Sequence, residues 1–161
     1  MARIFGSSIK RREDPSLITG KGKFTDDLKL PNMAYAAMVR SPHAHARIDN
    51  IDTSQAQALE GVIAVFTGED LKTSGIPGMI PVGWLLPDLK TPPHPILASD
   101  TVRYVGDAVA VVVAEDRYTA RDAVDLVEID YAPLPATVDV AKTTDDGQPQ
   151  IHPEAPRNIA F

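Results

Sequence analysis

No stretch constrains this chain more than Thr101–Pro135, TVRYVGDAVAVVVAEDRYTARDAVDLVEIDYAPLP, where strand, turn and helix signals follow one another without a gap. Ala108 to Ala114 is a short apolar run with four valines. Branched side chains over that length favour a strand buried on both faces, so Val111, Val112 and Val113 are all expected to be buried. Gly106-Asp107 reads as a tight turn, because glycine supplies the positive φ such turns require, and it predicts a hairpin in which Thr101–Val105 pairs back on Ala108–Ala114. Asp116 then caps a helix. Ala120, Ala123 or Val124, and Val127 recur at helical spacing, while Arg121, Asp122 and Asp125 face water. From Val127 the period changes to two, Val127, Ile129 and Tyr131 alternating with Glu128 and Asp130, until Pro133 and Pro135 end the strand.

The rest of the chain is organised in the same terms. Arg3 to Gly20 has few periodic apolar positions and reads as an extended arm, after which Phe24 is expected to enter the core. Met33–Arg40 (MAYAAMVR) is a roughly alternating strand that Ser41-Pro42 ends. His43–Arg47 (HAHAR) is a loop feeding a second strand with Ile48 and Ile51 inward. Thr53 or Ser54 caps a short helix that buries Ala56 and Leu59 and ends near Gly61. Val62–Thr67 (VIAVFT) is a further buried strand. The element order therefore contains two short strand–helix–strand units, without a sequence repeat between them.

Between Gly68 and Ser99 six prolines and four glycines fall in about thirty residues, and no regular structure is expected there. A connection of this length is functional or disordered, and Trp84, Leu85 and Leu86 within it call for an apolar partner, either the chain's own body or another protein. Val138 and Val140 are candidates to extend the sheet. Thr143–Phe161 is a polar, Pro-rich tail without a core of its own. The predicted boundaries are 1–20 for the arm, 21–143 for the folded body and 144–161 for the tail or linker.

Charge and composition narrow the function classes. The net charge is −6; Met1–Lys23 holds six basic and two acidic residues, so the arm is +4 and the remainder −10. An acidic body argues against general nucleic-acid binding. The arm docks on an acidic partner, docks on the body, or is a solvated terminus. The absence of cysteine removes disulfides, thiolate metal sites and a cysteine nucleophile, and fits a cytoplasmic location. No run approaches the roughly 18 apolar residues of a membrane span, so a soluble protein is expected.

Few residues qualify as chemical groups. His43 and His45 would share one face if extended, a geometry two metal ligands can use, but no further ligand stands at a recognisable spacing. His94 and His152 are flanked by proline and read as loop residues. The acidic pairs Asp26-Asp27, Glu69-Asp70, Glu115-Asp116 and Asp145-Asp146 lie at element ends, where turns and caps account for them. Gly20-Lys21-Gly22 lacks the third glycine and the strand-to-helix setting of a phosphate loop. No catalytic, cofactor-binding or metal-binding residue is assigned.

The phrases Arg40–Ile48 (RSPHAHARI), Val62–Asp70 (VIAVFTGED), Val102–Glu115 (VRYVGDAVAVVVAE) and Tyr131–Pro135 (YAPLP) resemble the opening segment of molybdenum hydroxylase large subunits. That family includes xanthine dehydrogenase, aldehyde oxidase and aerobic carbon monoxide dehydrogenase. The resemblance runs from about Gly6 to the His152–Asn158 stretch. It implies an α+β fold, the α/β-hammerhead, with a mixed sheet over 21–143 and a linker over 144–161 to a cofactor-binding domain. It also implies a wider complex holding a molybdenum–pterin cofactor, iron–sulfur clusters and FAD on other domains or subunits. The family's glycine-rich cofactor loops and late glutamate base have no match in Met1–Phe161.

Three readings follow. The first is a structural and docking portion of a molybdenum hydroxylase, with Trp84, Leu85, Leu86, His43 and His45 as candidate partner-interface residues. The second is a stand-alone interaction module of the same fold. The third is a small metal-binding or hydrolytic protein built on His43 and His45.

Overall fold

The computed structural model describes residues 5–76, 78–80 and 88–160. Two compact units emerge, Met1–Met33 and Ala34–Phe161. In the first, the stretch expected to be extended contains a helical turn, α1 (Asp14–Ile18), with Pro15 in its first turn, where a missing N–H costs nothing. A 3₁₀ turn follows at Thr25–Asp27, its Asp27 carboxylate accepting from the Phe24 N–H at 2.9 Å. Phe24 itself is exposed rather than in a core.

Among its described residues the second unit has six strands: β1 (Tyr35–Arg40), β2 (Ala46–Asp52), β3 (Val62–Thr67), β4 (Thr101–Val102), β5 (Ala108–Ala114) and β6 (Glu128–Pro133). Three further helices join them: α2 (Ser54–Ala58), α3 (Gly68–Thr73) and α4 (Arg117–Val124). The strands form two three-stranded sheets, in the orders β1-β5-β3 and β4-β2-β6. Every pairing is antiparallel, so the expected mixed sheet is replaced by two antiparallel ones. Both strand–helix–strand units are present, and each changes sheet across its helix: β2-α2-β3 passes from the second sheet to the first, β5-α4-β6 from the first to the second.

The predicted hairpin is absent. Thr101 and Val102 pair with Arg47 and Ala46 of β2, while β5 takes β1 and β3 as neighbours. The turn at Gly106-Asp107 does exist, with Gly106 at φ 92° and the Asp107 N–H donating to Tyr104 O at 3.1 Å. It closes a loop between two sheets instead of joining neighbours within one.

Helices α2 and α4 form where the sequence places them, although Thr53 makes no side-chain cap bond and the Ser54 N–H donates to Asp52 Oδ1 at 2.9 Å instead. Asp116 accepts from the Tyr118 and Thr119 N–H groups, and the Thr119 hydroxyl first, then those backbone bonds, hold its carboxyl below the usual range. Ala120 and Ala123 turn inward, and Ala56 does the same from α2. Ala56 and Ala123 meet Val39, Val65, Ala110 and Val112 in one buried cluster; Ala46, Ala98, Val102 and Val109 form a second, and Ile129 packs against both. A register shift opposite Val39 and Arg40 marks a β-bulge, which lets the consecutive Val109 and Ala110 both be buried.

Four further expectations are corrected. Val112 is fully buried, whereas Val111 and Val113 are only partly covered, and in β3 Ile63 and Phe66 are exposed. Within the stretch expected to lack regular structure, α3 forms on a reciprocal cap: the Thr67 N–H donates to Asp70 Oδ2 at 2.7 Å and the Asp70 N–H donates to Thr67 Oγ1 at 3.5 Å. Val138 and Val140 extend no sheet and are exposed beside a 3₁₀ turn at Val140–Lys142. The tail after Thr143 is anchored within the unit, with Ala155 buried and Asn158 Nδ2 donating to Thr143 O and Pro149 O.

Candidate functional site: the Arg103–His152 cleft

Two of the phrases singled out in the sequence, Arg40–Ile48 and Val102–Glu115, fold onto one another. The Ser41 N–H donates to Asp107 O at 2.9 Å, the Gly106 N–H to Ser41 O at 2.8 Å, and Arg40 Nη1 to Gly106 O at 2.8 Å. Ser41 and Asp107 are the two buried polar residues of this knot. The Ser41 hydroxyl also receives the His43 N–H at 3.0 Å, so the serine is used structurally.

His43 and His45 find partners in the same neighbourhood. The His43 ring meets Tyr131 edge-on at 4.9 Å, and His45 Nδ1 lies 2.7 Å from Pro135 O. Burial raises the Tyr131 phenol's pKa; its hydroxyl lies beside Ser41 but outside hydrogen-bond geometry. Among the described residues no group of three or more His, Asp or Glu side chains is placed to hold a metal ion. Trp84, Leu85 and Leu86 lie outside the described residues.

Behind the knot, Arg103 reaches into a cleft of about 420 Å³ between the start of α3, the 93–100 segment and the 152–154 stretch of the tail. Its backbone N–H donates to Asp107 Oδ2 at 3.0 Å, Nε to Ile151 O at 3.3 Å and Nη1 to Thr101 O at 3.2 Å. The guanidinium thereby pins the tail to β4. His152 stacks on His94 with ring centroids 6.1 Å apart. Burial, then the Arg103 and His94 charges, hold the His152 pKa below its ordinary value, against smaller opposing effects of Glu154 and Asp107. Residues read from sequence as separate loop histidines are thus brought together, and only their shared proline flanks signalled a fixed backbone at each.

The opposite wall depends on close approach. A Cβ at Gly68 would sit 2.7 Å from Leu97 O and 3.0 Å from Ser99 Cβ, so only glycine lets α3 begin against this strip of backbone. The strip is stiffened by a bridge between Met79 and Pro95, with the Ile80 N–H donating to His94 O at 2.7 Å and the Ile96 N–H to Gly78 O at 2.9 Å.

The donor set does not fit a pterin pyrophosphate or a metal. Lys72 is paired with Glu69 at 2.9 Å, Arg103 is committed to backbone carbonyls, and Asp100 and Glu154 add negative charge to the same cleft. The cleft is a mixed-charge recess that joins elements distant in sequence.

Comparison with known proteins gives a consistent result. Residues 19–135 match the family described as aldehyde oxidase and xanthine dehydrogenase, a/b hammerhead domain. The chain is 46% identical over 146 residues to the carbon monoxide dehydrogenase large chain of Afipia carboxidovorans, covering 91% of this chain and 17% of that one. It is 40% identical over 143 residues to the xanthine dehydrogenase molybdenum-binding subunit of Escherichia coli, covering 84% of this chain and 18% of that subunit. The solved aldehyde oxidoreductase of Desulfovibrio desulfuricans superposes with a TM-score of 0.83 at 32% identity, over 99% of this chain and 18% of its own. The chain thus spans less than a fifth of the length of these relatives. The expected α/β-hammerhead is borne out, as two antiparallel sheets with helices crossing between them.

Proposed function

Because the chain belongs to the aldehyde oxidase and xanthine dehydrogenase α/β-hammerhead family over residues 19–135, we propose that it is the structural and docking portion of a molybdenum-cofactor hydroxylase large subunit. The cofactor and the reacting groups are then carried by another domain or chain, with iron–sulfur and flavin partners in the wider complex. The observation that carries this reading is coverage: the family match fills most of this chain, yet the chain accounts for only 17% of the carbon monoxide dehydrogenase large chain it resembles. The cleft supports it, since Arg103 is engaged with backbone carbonyls of β4 and the tail and Lys72 is paired with Glu69. No helix among the described residues is long and apolar enough to cross a membrane. We place the assembly in the cytoplasm, in keeping with a cysteine-free chain.

Trp84, Leu85 and Leu86 are proposed as interface anchors on composition, since tryptophan is enriched among residues that dominate binding. The test is to co-produce the chain with a tagged molybdenum-cofactor-bearing part of a large subunit and measure capture. The parent should be captured, and alone should show no turnover of aldehydes, purines or carbon monoxide. Trp84→Ala should weaken capture by about 2 kcal/mol with little change in melting temperature. Absence of capture would favour a stand-alone interaction module, and turnover by the isolated chain would overturn the proposal outright.

A further inference from the structure

The sheet β1-β5-β3 has two apolar faces, and the described helices α2 and α4 account for one. On that face Ala37, Val112 and Val65 stand in register, with Val65 and Val112 in the buried cluster that α2 and α4 complete. The pleat sends the alternate residues to the other side. There the register aligns two rows, each crossing all three strands: Ala36–Val113–Ala64 and Met38–Val111–Phe66.

Neither row contains a polar or charged side chain, and none of its members belongs to either buried cluster. Phe66 is 43% exposed, and Ile63, at the register shift in the same strand, is 58% exposed. An antiparallel sheet with one face in water alternates apolar with polar residues; this sheet does not, and its composition is that of a layer covered on both sides. A contiguous apolar surface of this kind marks a contact site.

What covers it can be argued from size and charge. The relatives matched here carry this domain as 17–18% of their length, so most of each such chain is available to pack on it. The acidic groups of the −10 body lie off these rows, so the surface offers nothing to a basic or an anionic partner and selects an apolar one. We propose that this face, centred on Val111 and Phe66, seats an apolar surface of the cofactor-bearing part of a molybdenum hydroxylase large subunit. This rests on the docking function proposed above and assigns it to a defined face of the fold.

The experiment is hydroxyl-radical footprinting of Met38 and Phe66 in the chain alone and after assembly with the cofactor-bearing part, together with capture of Phe66→Arg and Val111→Thr. Labelling at both residues should fall about fivefold or more on assembly, and Phe66→Arg should weaken capture roughly tenfold or more. Val111→Thr, nearly isosteric, should weaken capture in the same direction, which covers the case that the arginine variant fails to fold. Capture of the parent with labelling and both variants unchanged would overturn this face while leaving the docking function standing; no capture at all would remove both. A dimer of the chain alone that Phe66→Arg dissociates, or labelling that rises only when residues 5–33 are deleted, would give the face to a second copy or to the chain's own arm and overturn the proposal.

Discussion

The Asp107 carboxylate accepts the backbone N–H of Arg103 at 3.0 Å, and so closes the loop that separates β4 in one sheet from β5 in the other. Asp107 is 7% exposed, so water cannot readily replace it as an acceptor. Asp107→Ala leaves the half-buried Arg103 N–H without its acceptor and should destabilise the fold by about 1–2 kcal/mol, read as a lower urea midpoint at unchanged slope. Asp107→Asn keeps an acceptor oxygen and should recover part of the loss. Equal midpoints for the parent and the alanine variant would show that the loop is held by its other bonds, to Ser41, Tyr104 and Arg40, without the carboxylate.

Val112 and Val111 are neighbours with opposite surroundings. Val112→Asp places a carboxylate against Ala56, Ala123 and Val39 with no counter-charge and should cost on the order of 4 kcal/mol, enough to unfold a marginal domain. Val111→Thr on the other face should stay within about 1 kcal/mol in the isolated chain. Thermal melts of the two variants check the assignment of faces; similar melting temperatures would mean that β5 is not sided as described.

The same pair shows what could be read from the sequence. The run of valines marks β5 as central, and the Asp116 cap and the apolar spacing after Thr53 locate α4 and α2, because those signals are local, although Thr53 makes no side-chain cap bond. Strand pairing was misread because the β5 neighbours begin at Tyr35 and Val62, far away in sequence, while the glycine turn at Gly106 offered a nearer partner. The helix α3 was obscured by the prolines and glycines around it, although Thr67 and Asp70 stand at capping-box spacing. The cleft was not legible, since it depends on the tail returning to Arg103 from 48 residues away.

Gly68 tests the close approach at the start of α3. Its φ is not in the left-handed region, so alanine is barred there by space and not by backbone conformation. Relief requires the Leu97 carbonyl or the helix to move, at about 1–3 kcal/mol. Gly75→Ala has open space but a φ of 72°, and should cost only about 1 kcal/mol through backbone strain. Denaturant midpoints of the two variants separate the effects; a Gly68→Ala midpoint equal to the parent's would show that the α3 start is not tightly packed.

His152 should make the tail's attachment sensitive to mild acid. Its ring stacks on His94, and the charged groups acting on it are Arg103, Glu154 and Asp107 from the loop and tail. Burial first, then Arg103 and His94, depress its folded-state pKa, so protons bind the unfolded chain more readily than the folded one. Stability is therefore fully present above the unfolded value of about 6.5, falls as pH drops from there toward the folded pKa, and changes no further below it. His152→Gln removes this titration while keeping a polar side chain of similar reach. Between about pH 7.5 and pH 5.5 the parent should lose more stability than the glutamine variant, and amide exchange at residues 151–158 should accelerate in the parent over the same interval. If parent and variant lose stability in parallel across that window, protonation of His152 is not opposed by the fold, and its contact with Arg103 and His94 does not govern how the tail is held.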